Sequence, residues 1–246
     1  MKIVVIGGSG LIGSQLVRIL AAEGHETVAA SPRSGVDTVT GEGLDAALAG
    51  ADVVVDVANS PSFEDQAVLA FFESSGRNLA AAEKRAGVKH HVALSVVGAD
   101  RMPDSGYMRA KVAQERIIVD SGVPYSVLRA TQFFEFLDAI AGSGTSGDTV
   151  RLAPAKFKPV ASADVAATLA GIVLGAPLND IEDLAGPLLL PLDEYIRRYL
   201  RAKGDPRAVV TDVEATYFGA AMGHHPLVPV GKAHLGAVSL EDWMKA

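Results

Sequence analysis

The chain has 246 residues, 49% of them apolar and 21% charged, which suffices to bury a substantial core as one domain with a small appendage. A formal charge of −7, with 22 Lys and Arg scattered along the chain, argues against direct DNA or RNA binding, because an acidic surface repels phosphate backbones. The absence of cysteine excludes disulfides, thiolate metal sites and thiol nucleophiles.

"KIVVIGG" opens the chain as a strand, with no basic segment and apolar leader before it. "LIGSQLVRILAAEG" follows as a helix, with Leu11, Leu16, Ile19 and Leu20 at helical spacing and Gly24 at its end. "ETVAAS" is a strand, "GEGLDAALAG" a short helix and "ADVVVDVAN" a nearly continuous apolar strand. A long helix over Phe63 to Ala86 precedes strand "HHVALSVVG", helix "YMRAKVAQERIIVDSG" and strand "YSVLRATQF". Apolar strands alternating with helices predict a Rossmann-type, doubly wound parallel sheet over residues 1–135. "AGSGTSGD" reads as a flexible loop. Residues 136–246 then read as a smaller α+β cap on the sheet edge, with helices at "SADVAATLAGIVLG" and "PLDEYIRRYL" and with Arg197, Arg198 and Arg201 on one polar helix face. The longest apolar stretch, "VAATLAGIVLGA", is too short to span a bilayer, so a soluble, cytoplasmic protein without membrane partners is expected.

The glycines after the first strand fit two registers, Gly8-x-Gly10-x-x-Gly13 and Gly7-x-x-Gly10-x-x-Gly13. At the end of a strand and the start of a helix, free amides and the helix dipole favour a pyrophosphate; a turn without a ligand is the plain alternative. The second strand ends in "AASPRSG", without the carboxylate that would accept from the ribose hydroxyls of NAD. Ser31, Arg33 and Ser34 are placed instead for a ribose phosphate, so NADP(H) is the expected cofactor; otherwise Arg33 is a solvated turn residue. Ala58, Asn59 and Ser60 suit the flank of the adenine and its ribose, and Asn59 and Ser60 equally suit a turn before a helix.

"GGSGLIGS", "SPRSG", "VDVANSPS", "ALSVVGADR", "SGYMRAKVAQE", "LRATQFFEF", "DLAGP" and "LEDWM" occur in one order along nearly the whole chain. Through them the sequence resembles the NmrA-like, NAD(P)-binding branch of the atypical short-chain dehydrogenase/reductases. That resemblance implies a dinucleotide lying across Gly7, Ser9, Gly10, Leu11, Ile12 and Gly13, with its adenosine phosphate near Ser31 and Arg33. It implies a nicotinamide near Ser95, Lys111 and the segment Ala130 to Phe133. The branch holds reductases, isomerases and proteins that bind NADP without known turnover.

Tyr107 and Lys111 have YxxxK spacing, and residues four apart share a helix face. An adjacent ammonium would lower the phenol's pKa and make Tyr107 a proton shuttle, with Lys111 on the ribose and Ser95 on a substrate carbonyl. Lys111 can also serve the ribose alone, with Tyr107 facing solvent. Neither His90–His91 nor His224–His225 has further ligands at metal spacing, so no metal is expected. Asp52, Asp56, Glu64 and Asp65 read as turn and helix-start residues. Phe133, Phe134 and Phe136 read as core and pocket wall, with Phe133 against the nicotinamide, and Trp243 as a tail anchor. Two functions follow: an NADP(H)-dependent oxidoreductase of small, apolar carbonyl-type compounds, or a non-catalytic NADP sensor acting through a protein partner. Oligomeric state stays open.

Overall fold

The computed structural model describes residues 1–222 and 227–245. Its first half alternates strand and helix: β1 (Lys2–Ile6), α1 (Leu11–Ala22), β2 (Glu26–Ala30), α2 (Leu44–Leu48), β3 (Val53–Asp56), α3 (Asp65–Ala86), β4 (His90–Val96), α4 (Gly106–Asp120) and β5 (Tyr125–Ala130). There follow α5 (Leu137–Ser143), β6 (Thr145–Ser146), β7 (Thr149–Leu152), β8 (Lys156–Phe157), α6 (Ser162–Leu174), β9 (Asp180–Ala185), β10 (Leu190–Pro191), α7 (Leu192–Lys203), β11 (Ala208–Thr211), β12 (His234–Leu235) and α8 (Leu240–Trp243).

Seven strands form the central sheet in the order β12-β9-β5-β4-β3-β1-β2, and each neighbouring pair is parallel. Strand alternation assigns the two faces. Ile3 and Val5 of β1 join Val53, Val55, Val92 and Leu128 against α1 and α6. Val4 and Ile6, with Val54, face α2 and α3, while Ala93 and Val127 meet Ile118 of α4. Strands buried on both sides explain the continuous apolar runs. The chain leaves β1 toward β2 and returns to β3 on β1's other side, so the order reverses there, and the crevice at the carboxyl ends of β1 and β3 is where such sheets bind ligands.

The later chain has two destinations. α6, β9 and β12 complete the central sheet and its cover. α5, α7 and two small sheets, β11-β7-β6 and β10-β8, enclose a second core around Phe134, Phe157, Tyr195 and Leu227. The stretch 141–148 is not the open loop its composition suggests. It holds the end of α5, then β6 turning into β7 through Gly147 at φ +58°. Asp56 is more than a turn residue: it is buried at the end of β3, with Oδ1 accepting from the Ala58 amide two residues on and Oδ2 from Gln114 of α4.

Candidate functional site

The glycine-rich turn follows β1 at the sheet's reversal point. Gly7 sits at φ +79°, and a Cβ there would lie 2.9 Å from the Ala58 nitrogen. A Cβ on Gly8 would lie 2.7 Å from Ala29 Cα, and one on Gly13 would collide with the Gly7 carbonyl oxygen. Three of the four glycines are therefore demanded by the protein's own packing. Gly10 differs: a Cβ there meets only Gly7 O, at 3.2 Å, and its outer side is open. Gly10 also caps α1, with no side-chain cap and no acidic residue in the first turn. The first-turn amides thus remain available to an external acceptor, which fits a pyrophosphate. Ser9, Gly10 and Leu11 are exposed beside them, Leu11 at 42% although helical spacing assigns it to the core, while Ile12 is buried beneath.

β2 leads into a short 3-10 turn, Pro32–Ser34, capped reciprocally by Ser31 and Ser34. Ser34 Oγ accepts from the Ser31 amide at 2.9 Å and donates to the Ser31 carbonyl at 2.9 Å. The Ser31 hydroxyl accepts from the Ser34 amide and keeps its own proton to donate. Arg33 projects into solvent and makes no ion pair among the described residues. Across the crevice, Ala58 N donates to Asp56 Oδ1 at 3.1 Å. Asn59 Oδ1 accepts from Ser60 N and Ser60 Oγ from Ser62 N, so both side chains are engaged in the turn before α3.

Beneath the crevice lies a buried polar cluster. Lys111, 3% exposed, donates from Nζ to the Leu94 carbonyl at 2.9 Å and to Gln114 Oε1 in a short contact. Gln114 Nε2 donates to Asp56 Oδ2 at 2.7 Å. Nζ also lies 4.4 Å from the centre of the Phe72 ring. Burial pushes Lys111 down to about 8, against the opposing charges of Asp56 and Glu115. One residue on, Glu115 holds Arg129 of β5 through two bonds of 2.8 and 2.6 Å. Gln114, Glu115 and Arg129 were not singled out from the sequence, and Asp56 was read there only as a turn residue. "KVAQE" does carry the signal, since Gln114 lies three residues beyond Lys111 on the same face.

Tyr107 is half-buried between Phe63 and Phe72, with ring centroids 5.6 and 6.2 Å away. The expected lowering of its phenol by an adjacent ammonium is not found: burial pushes Tyr107 up to about 12. Tyr107 and Lys111 share a face and both lie against Phe72, the phenol ring edge-on at 6.2 Å and the ammonium 4.4 Å from the ring centre, and the ammonium's hydrogen bonds go elsewhere. Ser95 Oγ is buried and has no hydrogen-bond partner among the described residues, so it does not face an open pocket.

Past β5, Phe133 stacks on the exposed Phe136 at 5.6 Å, whereas Phe134 is fully buried. Glu135 accepts from the Ser162 hydroxyl at 2.5 Å, at the start of α6, and from Trp243 Nε1 at 3.2 Å. Trp243 also packs 5.6 Å from Phe134, which ties the tail to the second core. His90 pairs with Ser126 at 2.8 Å and His91 with Glu83 at 2.7 Å, on opposite faces of β4. His224 and His225 lie outside the described residues.

Residues 7–174 match the family model described as NAD(P)H-binding. The photosystem II assembly factor Ycf39 of Synechocystis is 26% identical over 151 residues, which are 56% of this chain and 46% of that protein. The matched region thus spans about half of the curated relative's length. Among solved structures, dTDP-4-dehydrorhamnose reductase of Bacillus anthracis in complex with NADP superposes with a TM-score of 0.71 at 15% identity, covering 91% of this chain and 87% of that one. A short-chain dehydrogenase/reductase superfamily protein of Agrobacterium tumefaciens with bound NAD gives 0.70 at 16% identity, covering 86% and 85%. At these identities the likeness shows the fold. Among the described residues no helix is long and apolar enough to cross a membrane.

Proposed function

This chain belongs to the NAD(P)H-binding family, and from that premise we propose an NADP(H)-dependent oxidoreductase of small, apolar carbonyl-type compounds, of the atypical short-chain dehydrogenase/reductase kind that the sequence resembles. The observation that carries the cofactor assignment is the pairing of an uncapped α1 N-terminus with a β2 exit that offers Ser31, Arg33 and Ser34 and no carboxylate. The turn from Gly7 to Gly13 would hold the pyrophosphate, Arg33 the ribose phosphate, and Ala58 to Ser60 the adenosine flank. A bound nicotinamide dinucleotide supplies the hydride exchanged with a substrate carbon.

Tyr107 is the proton donor in this reading. Burial pushes the phenol up to about 12, so it is protonated near neutral pH and holds a proton to give to the substrate oxygen, as a weaker acid than a free phenol. Lys111 would hold the ribose, and the Phe133–Phe136 stack would supply apolar wall. The buried Ser95 hydroxyl leaves the orientation of the substrate oxygen to Tyr107.

One observation favours a second reading, an NADP-binding regulator without turnover. The Lys111 ammonium is already held by Leu94 O, Gln114 and the Phe72 face, and the phenol is not activated. Ycf39 being named an assembly factor agrees with that alternative. NADPH oxidation across a panel of aldehydes, ketones and quinones decides. Turnover that Tyr107→Phe abolishes while NADPH still binds supports the enzyme. Tight NADPH binding with no oxidation of any panel member supports the regulator.

A further inference from the structure

The cluster under the crevice has a feature that neither ribose binding nor proton donation requires. Gln114 is 2% exposed and spends both ends of its amide on charged groups. Its oxygen accepts from the Lys111 ammonium and its NH2 donates to Asp56 Oδ2 at 2.7 Å. The reverse orientation would set donor against ammonium and acceptor against carboxylate, so the two charges themselves fix the amide. Asp56 uses its other oxygen on Ala58 N at 3.1 Å, and the Ala58 backbone lies where a Gly7 side chain would have to go. A chain of direct contacts therefore runs from the glycine turn through Ala58, Asp56 and Gln114 to Lys111.

We propose that Gln114 is a positioning residue: it relays the Asp56 carboxylate to Lys111, holding the ammonium charged and in register with the glycine turn. The proposal rests on the reading that Lys111 contacts the dinucleotide. Its physical basis is the cost of burying a lone ammonium, which a packed apolar site imposes unless oxygen acceptors and a counter-charge compensate. The charged groups around Lys111 come from several elements. β3 supplies Asp56 and α4 supplies Glu115, which is paired with Arg129 of β5, itself also 3.3 Å from Asp100. β4 supplies His91, which is paired with Glu83 of α3. Among the described residues only Asp56 is joined to Lys111 by a bridging side chain, and that bridge is Gln114.

The test is NADPH binding, by fluorescence titration from neutral to alkaline pH, in the full chain. Wild-type affinity should fall as Lys111 loses its proton near pH 8. Gln114→Met removes the relay at similar volume, and Asp56→Asn removes the charge while keeping the shape. Each should bring the midpoint of that fall down by about one pH unit, the usual scale for a lost neighbouring charge or acceptor. The double variant should move it no further than the larger single effect, since both act through one chain. A purely structural Gln114 would lower thermal stability and leave the midpoint in place, and that result overturns the proposal. If Gln114→Met does not fold, Gln114→Asn breaks the bridge by one methylene and is read the same way. Lys111→Met separates the two levels. Wild-type affinity at every pH would remove Lys111 from the cofactor site. Weakened Lys111→Met binding beside an unmoved Gln114 midpoint would overturn the relay alone.

Discussion

Arg33→Ala is the sharpest probe of cofactor choice. Arg33 projects from the 3-10 turn Pro32–Ser34 into solvent, and no described carboxylate competes for it. An exposed ion pair at 4 Å gains only about 1 kcal/mol in water, but charge-assisted hydrogen bonds to a phosphate bring the loss to about 1.5–3 kcal/mol. Taking about 2 kcal/mol, the NADPH dissociation constant should rise about 30-fold. NADH has no phosphate at that ribose position and should lose less than about twofold. Isothermal or fluorescence titration of both nucleotides against both proteins gives the four constants required. The discrimination should also shrink with added salt, because the Debye length falls from about 10 Å at 0.1 M to about 3 Å at 1 M. Equal weakening for NADPH and NADH would show that Arg33 supports the fold of the turn and not the phosphate.

Two stability predictions test other joints of the structure. Gly8→Ala puts a Cβ 2.7 Å from the Ala29 backbone, where no side chain can give way, so about 1–3 kcal/mol should be lost. Differential scanning fluorimetry should show this as a Tm lower by about 2–4 °C per kcal/mol for a chain of this size, and an unchanged Tm would mean that β1 and β2 shift freely. For His91, burial of the ring lowers its pKa, but the charge and hydrogen bond of Glu83, with Asp56 behind, outweigh it and leave the value raised. A raised folded value means that the stabilisation is complete below the ordinary histidine pKa of about 6.5 and is lost as pH climbs through the folded one. Unfolding midpoints should therefore decline as pH rises above about 6.5, and His91→Gln should flatten that decline. A wild-type profile as flat as the variant's would refute the ion pair.

Much of the fold was legible because it is written in local periodicities. β1, α1, β3, β4, α4 and β5 fall where apolar runs and helical spacing put them, and their alternation implies a parallel sheet. The glycine turn was legible for the same reason, since Gly7 to Gly13 are consecutive in the chain and in space. What failed was inference across sequence distance. Asp56 has the neighbours of a turn residue, and only the approach of α4, 58 positions away, makes it a buried counter-charge. Tyr107 and Lys111 do share a helix face, yet both pack on Phe72 from α3, the ammonium bonds elsewhere and burial raises the phenol. The stretch 141–148 reads as a linker until β7 pairs with it.

The sequence by itself determined the strand–helix rhythm, the acid-free exit of β2 and the glycine turn, because each depends on residues within about ten positions, where sterics, propensity and dipoles act directly. Tertiary structure decided which of those glycines the packing demands and which is left open, where the Lys111 ammonium spends its protons and how acidic Tyr107 is. Those properties are set by desolvation, by the Asp56 charge of β3, by the Phe72 ring of α3 and by the Leu94 carbonyl of β4. Burial and counter-charge exist only once distant segments have packed together.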